Sequence, residues 1–102
     1  MDGRVREIRE FQRAIEEIYF DRDSRRGVEG TFVWFIEEVG ELAKEIKRWQ
    51  QGKGDRKRLM EEFSDVFAWL TTLASLLDVE MEEAAQRYAH GCPKCGKKPC
   101  QC

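Results

Sequence analysis

The chain has 102 residues, 37% of them charged, and its 18 basic against 20 acidic side chains leave a formal net charge of −2. That balance argues against a generic nucleic-acid-binding surface, which needs a clear positive excess. No apolar run approaches the roughly 20 residues that span a bilayer and no apolar signal segment opens the chain, so a cytoplasmic protein with one small domain and a thin core is expected.

In chain order, Val5, Ile8, Phe11, Ile15 and Ile18 recur at the spacing of one helical face and predict a first helix from about Arg4 to Phe20. The polar stretch DRDSRRGVEG is expected to end it. Thr31 is a good N-cap for a second helix reaching about Gln51, with Phe35, Val39, Leu42, Ile46 and Trp49 as its stripe. The sequence GKGD breaks that helix, and Asp55 is the expected N-cap of a third carrying Leu59, Phe63, Val66, Leu70, Leu73 and Leu77. Asp78 is expected to cap a short fourth helix through Met81, Ala84, Ala85 and Tyr88. No stretch alternates with period two, so the class is all-α: four helices around an antiparallel central hairpin. Both prolines and all four cysteines fall after Gly91, which divides the chain into a helical domain, 1–90, and a cysteine-rich tail, 91–102.

Two stretches of the hairpin, FIEEVGELAKEIKRW and LMEEFSDVFAWLTTL, carry the same acidic arrangement. At 100° per residue, Glu38 stands about 40° to one side of Leu42 and Glu41 about 100° to that side; Glu62 and Asp65 stand at the same angles from Val66. The short connection makes the two helices antiparallel neighbours, related by a twofold axis that keeps one flank on one side of the pair. Each acidic pair lies about twelve residues from the bend at Gln51 and Gly52, or roughly 18 Å along its helix, so the four carboxylates match in level as well as phase. Crowded carboxylates repel unless protonated or neutralised, and hard oxygen ligands without histidine or thiolate favour magnesium or manganese. Gly40, between the first two acids, leaves room for an approach to the backbone. A di-iron bundle would use Glu-x-x-His motifs, and the one histidine is His90.

Glu38-x-x-Glu41, a spacer of twenty residues and Glu62-x-x-Asp65 together resemble the motif of the MazG-like nucleotide pyrophosphohydrolases, as do EEVGELAKEI, EEFSDVFAWL and LLDVEMEEA around them, over roughly residues 5 to 90. The resemblance implies an all-α fold assembling as homodimers or homotetramers. It also implies magnesium-dependent hydrolysis of a nucleoside triphosphate to the monophosphate and pyrophosphate, a house-cleaning of the nucleotide pool. Glu38, Glu41, Glu62 and Asp65 are the metal ligands it carries over, with Glu37 or Glu45 as general base. Arg87, and more weakly His90, match its basic residues after the second motif; Lys44, Arg25 and Arg26 are further candidates for phosphate contacts. Trp34 and Trp69 are candidates for the base pocket, because indole faces stack on nucleobases. The competing reading is a non-catalytic module, a helical dimer that senses nucleotides or docks a partner protein. No membrane or nucleic-acid partner is expected.

The tail, CPKCGKKPCQC, brings Cys92, Cys95, Cys100 and Cys102 into a short span. Its Cys-Pro-Lys-Cys-Gly turn resembles a zinc knuckle, which Cys100 and Cys102 would complete as a four-sulfur shell for structural zinc; the alternative is a disordered thiol tail or redox switch.

Overall fold

A computed structural model describes Val5 and residues 7–102 of the chain. Helix α1 runs Ile8–Gln50, α2 Arg56–Leu76 and α3 Met81–Ala85, followed by a 3-10 turn, Gln86–Tyr88. The described residues contain no strand, and no helix among them is long and apolar enough to cross a membrane. The all-α class holds, with three α-helices instead of the four expected.

The difference lies in DRDSRRGVEG, which does not end the first helix at Phe20. Its arginines and glutamate are adequate helix formers, and α1 continues through them. Only Gly27 departs, with φ 83° and ψ 173°, a region essentially closed to residues bearing a Cβ. Helical geometry stops at this residue and resumes after it, so α1 consists of two helical segments that meet at a kink inside this polar stretch. Thr31 is accordingly no N-cap: it lies wholly buried inside α1, its Oγ1 accepting from the Arg26 guanidinium at 3.2 Å. The expected start at Arg4 lies outside the described residues.

Asp55 caps α2 as its sequence predicts, accepting the Lys57 backbone N–H at 2.8 Å. Asp78 does not cap α3. It takes φ 58°, the left-handed conformation that follows a helix end, and Glu80 occupies the N-cap position of α3.

The hairpin of α1 and α2 is antiparallel. The contacts Glu45 with Arg58, Glu38 with Asp65, and Trp34 with Trp69 step in opposite directions along the two helices, away from the turn at Gln51 and Gly52. The first segment of α1 folds back across α2, where Phe11 stacks on Phe67 with ring centroids 4.5 Å apart. Gln12, almost fully buried, ties this segment to the end of α2 and the start of α3 by hydrogen bonds to Ser75, Val79 and Met81.

The single-chain core is thin. Ile15 and Ala74 are its buried apolar residues among those described, whereas Gln12, Asp23, Thr31, Glu45, Thr71 and Thr72 are buried polar ones. The stripes expected to pack inside the hairpin remain half open: Phe63 is 54% exposed, and Phe32, Val33, Trp34 and Ile36 form an apolar outer surface on α1.

Candidate active site

The hairpin delivers three of the four acids to one point. One carboxylate oxygen each from Glu38, Glu62 and Asp65 lies within 4.8 Å of the others. Glu38 and Glu62 are half-buried and Asp65 is exposed, so the cluster sits at the mouth of the groove between the helices. Burial, followed by the charges of Asp65, Glu62, Glu41 and Glu37, holds the Glu38 carboxyl above its ordinary range. Glu62 is raised in the same way, by burial first and then by Asp65, Glu41 and Glu45, with Arg58 opposing. Its Oε2 is buried without a hydrogen-bond partner. Carboxylates that are crowded, partly desolvated and left with an unsatisfied oxygen call for a proton or a cation.

Glu41 stands outside the tight group. Its Oε1 faces the Lys44 ammonium at 3.5 Å in an exposed pair one helical turn apart, and its charge still reaches Glu38 and Glu62. Lys44 thus serves as the counter-ion of Glu41 in this arrangement. The two general-base candidates differ sharply in setting. Glu37 is exposed, whereas Glu45 is buried, with Oε1 at 3.8 Å from Arg58 Nε and Oε2 unpartnered. A Cβ added at Gly40 would meet open space, in keeping with an unobstructed backbone there.

Asp65 also lines a cleft of about 400 Å³ with Tyr19, Arg22, Arg26, Trp34 and Trp69. The Trp34 and Trp69 rings stand nearly parallel, 11° apart, with centroids separated by 5.9 Å. The Arg26 guanidinium lies over the Trp69 ring at 4.9 Å and pairs with buried Asp23 at 2.9 Å. Gly30 makes room for it, since a Cβ there would come within 2.8 Å of Arg26 Cγ. A cleft lined by aromatic rings, two arginines and two aspartates therefore opens directly beside the carboxylates.

Of the other basic candidates, Arg25 points elsewhere, donating to the Asp21 carbonyl at 3.2 Å. Arg87 packs on Tyr88 and lines a shallow hollow beside the cysteine tail, not the cleft, and His90 is exposed. Tyr19, Arg22 and Asp23 were not anticipated as cleft residues. With Arg26 they recur at three- and four-residue steps, a face that becomes visible once the helix is carried past Phe20.

The MazG nucleotide pyrophosphohydrolase domain matches residues 26–94, more than half of the chain. The chain belongs to this family. The MazG match begins just before the bend at Gly27, later than the expected residue 5, and so contains both acidic motifs and α3 but little of the first segment of α1. Over 59 residues the chain is 39% identical to the uncharacterized protein YpjD of Bacillus subtilis (strain 168), a match covering 53% of each; the chain thus spans about half the length of this curated relative. A second cluster lies outside the MazG hairpin: Cys92, Cys95, Cys100 and Cys102 sit close enough together to hold a metal ion.

Proposed function

We propose that the protein is a cytoplasmic, magnesium-dependent nucleoside triphosphate pyrophosphohydrolase, converting the triphosphate and water to the monophosphate and pyrophosphate in the upkeep of the nucleotide pool. The observation that carries this reading is the Glu38, Glu62 and Asp65 cluster at the edge of a cleft with two parallel indoles. The donor set fits magnesium or manganese, being all oxygen, with the buried unpartnered Oε2 of Glu62 available as a further ligand atom. Glu38, Glu62 and Asp65 would hold the ion, joined by Glu41 once its side chain leaves Lys44. A cation held there would supply charge neutralisation for the triphosphate and Lewis-acid assistance at its α-phosphoryl group.

The chain's own residues supply the rest. Arg22 and Arg26 offer guanidinium donors to the phosphates, and Trp34 and Trp69 offer flat faces to the base. Glu45, with its free oxygen beside Glu62, is the better placed of the two bases to take a proton from water. The water oxygen then bonds to the α-phosphorus, the bond from that phosphorus to the bridging oxygen breaks, and pyrophosphate leaves with the electron pair.

The apolar surface of α1 and α2 supports assembly with further copies of the chain, as a homodimer or homotetramer of hairpins. Sedimentation at micromolar concentration should give such an oligomer, and a monomer would contradict it. Trp34→Ala, which truncates a half-exposed side chain, should weaken nucleotide binding about tenfold and leave the fold intact; unchanged KM would remove Trp34 from the base pocket. The reading as a whole is tested by incubating the protein with a panel of ribo- and deoxyribonucleoside triphosphates with and without magnesium. Pyrophosphate should accumulate only with the metal. Binding across the panel without turnover would instead favour a nucleotide sensor.

A further inference from the structure

The tail positions its four thiols with contacts made inside the tail itself. Gly96 N–H donates to the Cys92 carbonyl at 2.7 Å and Cys92 N–H to the Lys97 carbonyl at 2.9 Å, closing a tight turn around the first two cysteines. Two further backbone N–H groups point at sulfur: Gln101 N donates to Cys95 Sγ and Cys102 N to Cys100 Sγ, each at 3.4 Å. An N–H aimed at sulfur is the hydrogen bond that a metal-bound cysteine accepts from its surroundings.

The spacing of the sulfurs is informative. One ligand atom from each cysteine lies within 4.8 Å of the others, with Cys92 and Cys102 3.7 Å apart and Cys95 and Cys100 3.9 Å apart. A disulfide would need about 2.05 Å, so these are non-bonded contacts. A regular tetrahedron of sulfurs about 2.3 Å from a central zinc has edges of about 3.8 Å. All four sulfurs share one cluster, with contacts between the first half of the tail and the second, which a Cys-x-x-Cys redox pair alone would not need.

We propose that Cys92, Cys95, Cys100 and Cys102 form a closed tetrathiolate site for one zinc ion per chain, which fixes the tail against the end of the helical domain. Thiolates are poor ligands for the hard magnesium ion, so the two metal sites select different ions. Zinc is favoured over iron because Cys100 and Cys102 are exposed: an iron centre there would lack the apolar shell that shields it from solvent and oxidation, whereas zinc has no redox chemistry. Lys94, Lys97 and Lys98 surround the cluster in sequence and offset the two net negative charges of a zinc tetrathiolate. The shallow hollow beside it is lined by Arg87 and Tyr88, so closure of the site presses the tail onto the 3-10 turn that ends the helical part. With four protein ligands and no open position, the ion serves structure and not turnover.

The test uses the full-length protein, purified under reducing conditions and analysed for metals, together with the variants Cys95→Ser and Cys100→Ser. About one equivalent of zinc per chain is expected, with four thiols that resist a thiol reagent until a chelator is added. Each variant should lose zinc affinity at least tenfold while keeping its helical circular dichroism and its magnesium-dependent turnover. Cobalt(II) added to the chelator-treated native protein should show the absorption of a tetrahedral tetrathiolate. Iron in place of zinc, a native protein without metal and with four reactive thiols, or variants that retain the ion would each overturn the proposal. The native thiol and cobalt measurements decide it even if a variant fails to fold, and neither depends on whether the carboxylate site hydrolyses nucleotides.

Discussion

Glu62→Gln and Asp65→Asn are each expected to lower turnover at least about a hundredfold while making the metal-free protein more stable. The two effects have one cause. Glu62 is half-buried, its carboxyl raised by burial and by the charges of Asp65, Glu41 and Glu45, and its Oε2 has no partner. An ionised carboxylate there is held in place by the packing of the hairpin and repelled by its neighbours. The amide keeps the shape and removes the charge. Without metal, the melting temperature at neutral pH should therefore rise by up to about 5 °C in either variant, since each removes one of the crowded charges. The native protein should gain stability when magnesium is added, and the variants should gain much less. Thermal melts with and without magnesium, beside steady-state kinetics, check both halves. If the acids were simply solvated faces, neither quantity would respond to the substitution.

The second large effect is structural. Gln12→Leu should destabilise the chain by about 3 kcal/mol and lower its melting temperature by more than about 10 °C. Gln12 is 1% exposed. Its Nε2 donates to Ser75 Oγ at 3.1 Å and to the Val79 carbonyl at 2.9 Å, and its Oε1 accepts the Met81 N–H at 2.8 Å. Met81 opens α3, so this N–H is one of the donors a helix start leaves without an internal partner. Leucine would strand that donor and the Val79 acceptor in a site closed to water, each costing about 1–3 kcal/mol. Gln86→Leu is the control: its side chain is exposed and bonds only the Glu82 carbonyl one turn back, so less than about 0.5 kcal/mol should be lost. A loss at Gln12 no larger than the control's would mean that the clamp does not hold the three helices together.

The hairpin and its acids were legible because phase and level are counted along a sequence. Glu38, Glu62 and Asp65 meet where helical periodicity and a short turn place them. Glu41 shares that phase yet leans to Lys44, an exposed choice between two partners that periodicity cannot rank. Gln12 reads as an ordinary polar flank beside Phe11, and only tertiary contact reveals it as a fully used donor and acceptor. The bend was misread for a related reason: DRDSRRGVEG is polar, but polarity does not stop a helix, and the decisive residue was Gly27 with its backbone freedom. Ending the helix at Phe20 hid Arg22 and the placement of Arg26, and with them the arginines of the cleft. The exposed apolar surface, in turn, concerns surfaces that one chain alone does not cover.

The most direct test of the account is the fate of the water oxygen. A nucleoside triphosphate that the protein hydrolyses in oxygen-18 water with magnesium should yield the monophosphate carrying the label and pyrophosphate carrying none, because attack is at the α-phosphorus. Label in pyrophosphate, or release of the diphosphate with labelled inorganic phosphate, would contradict it.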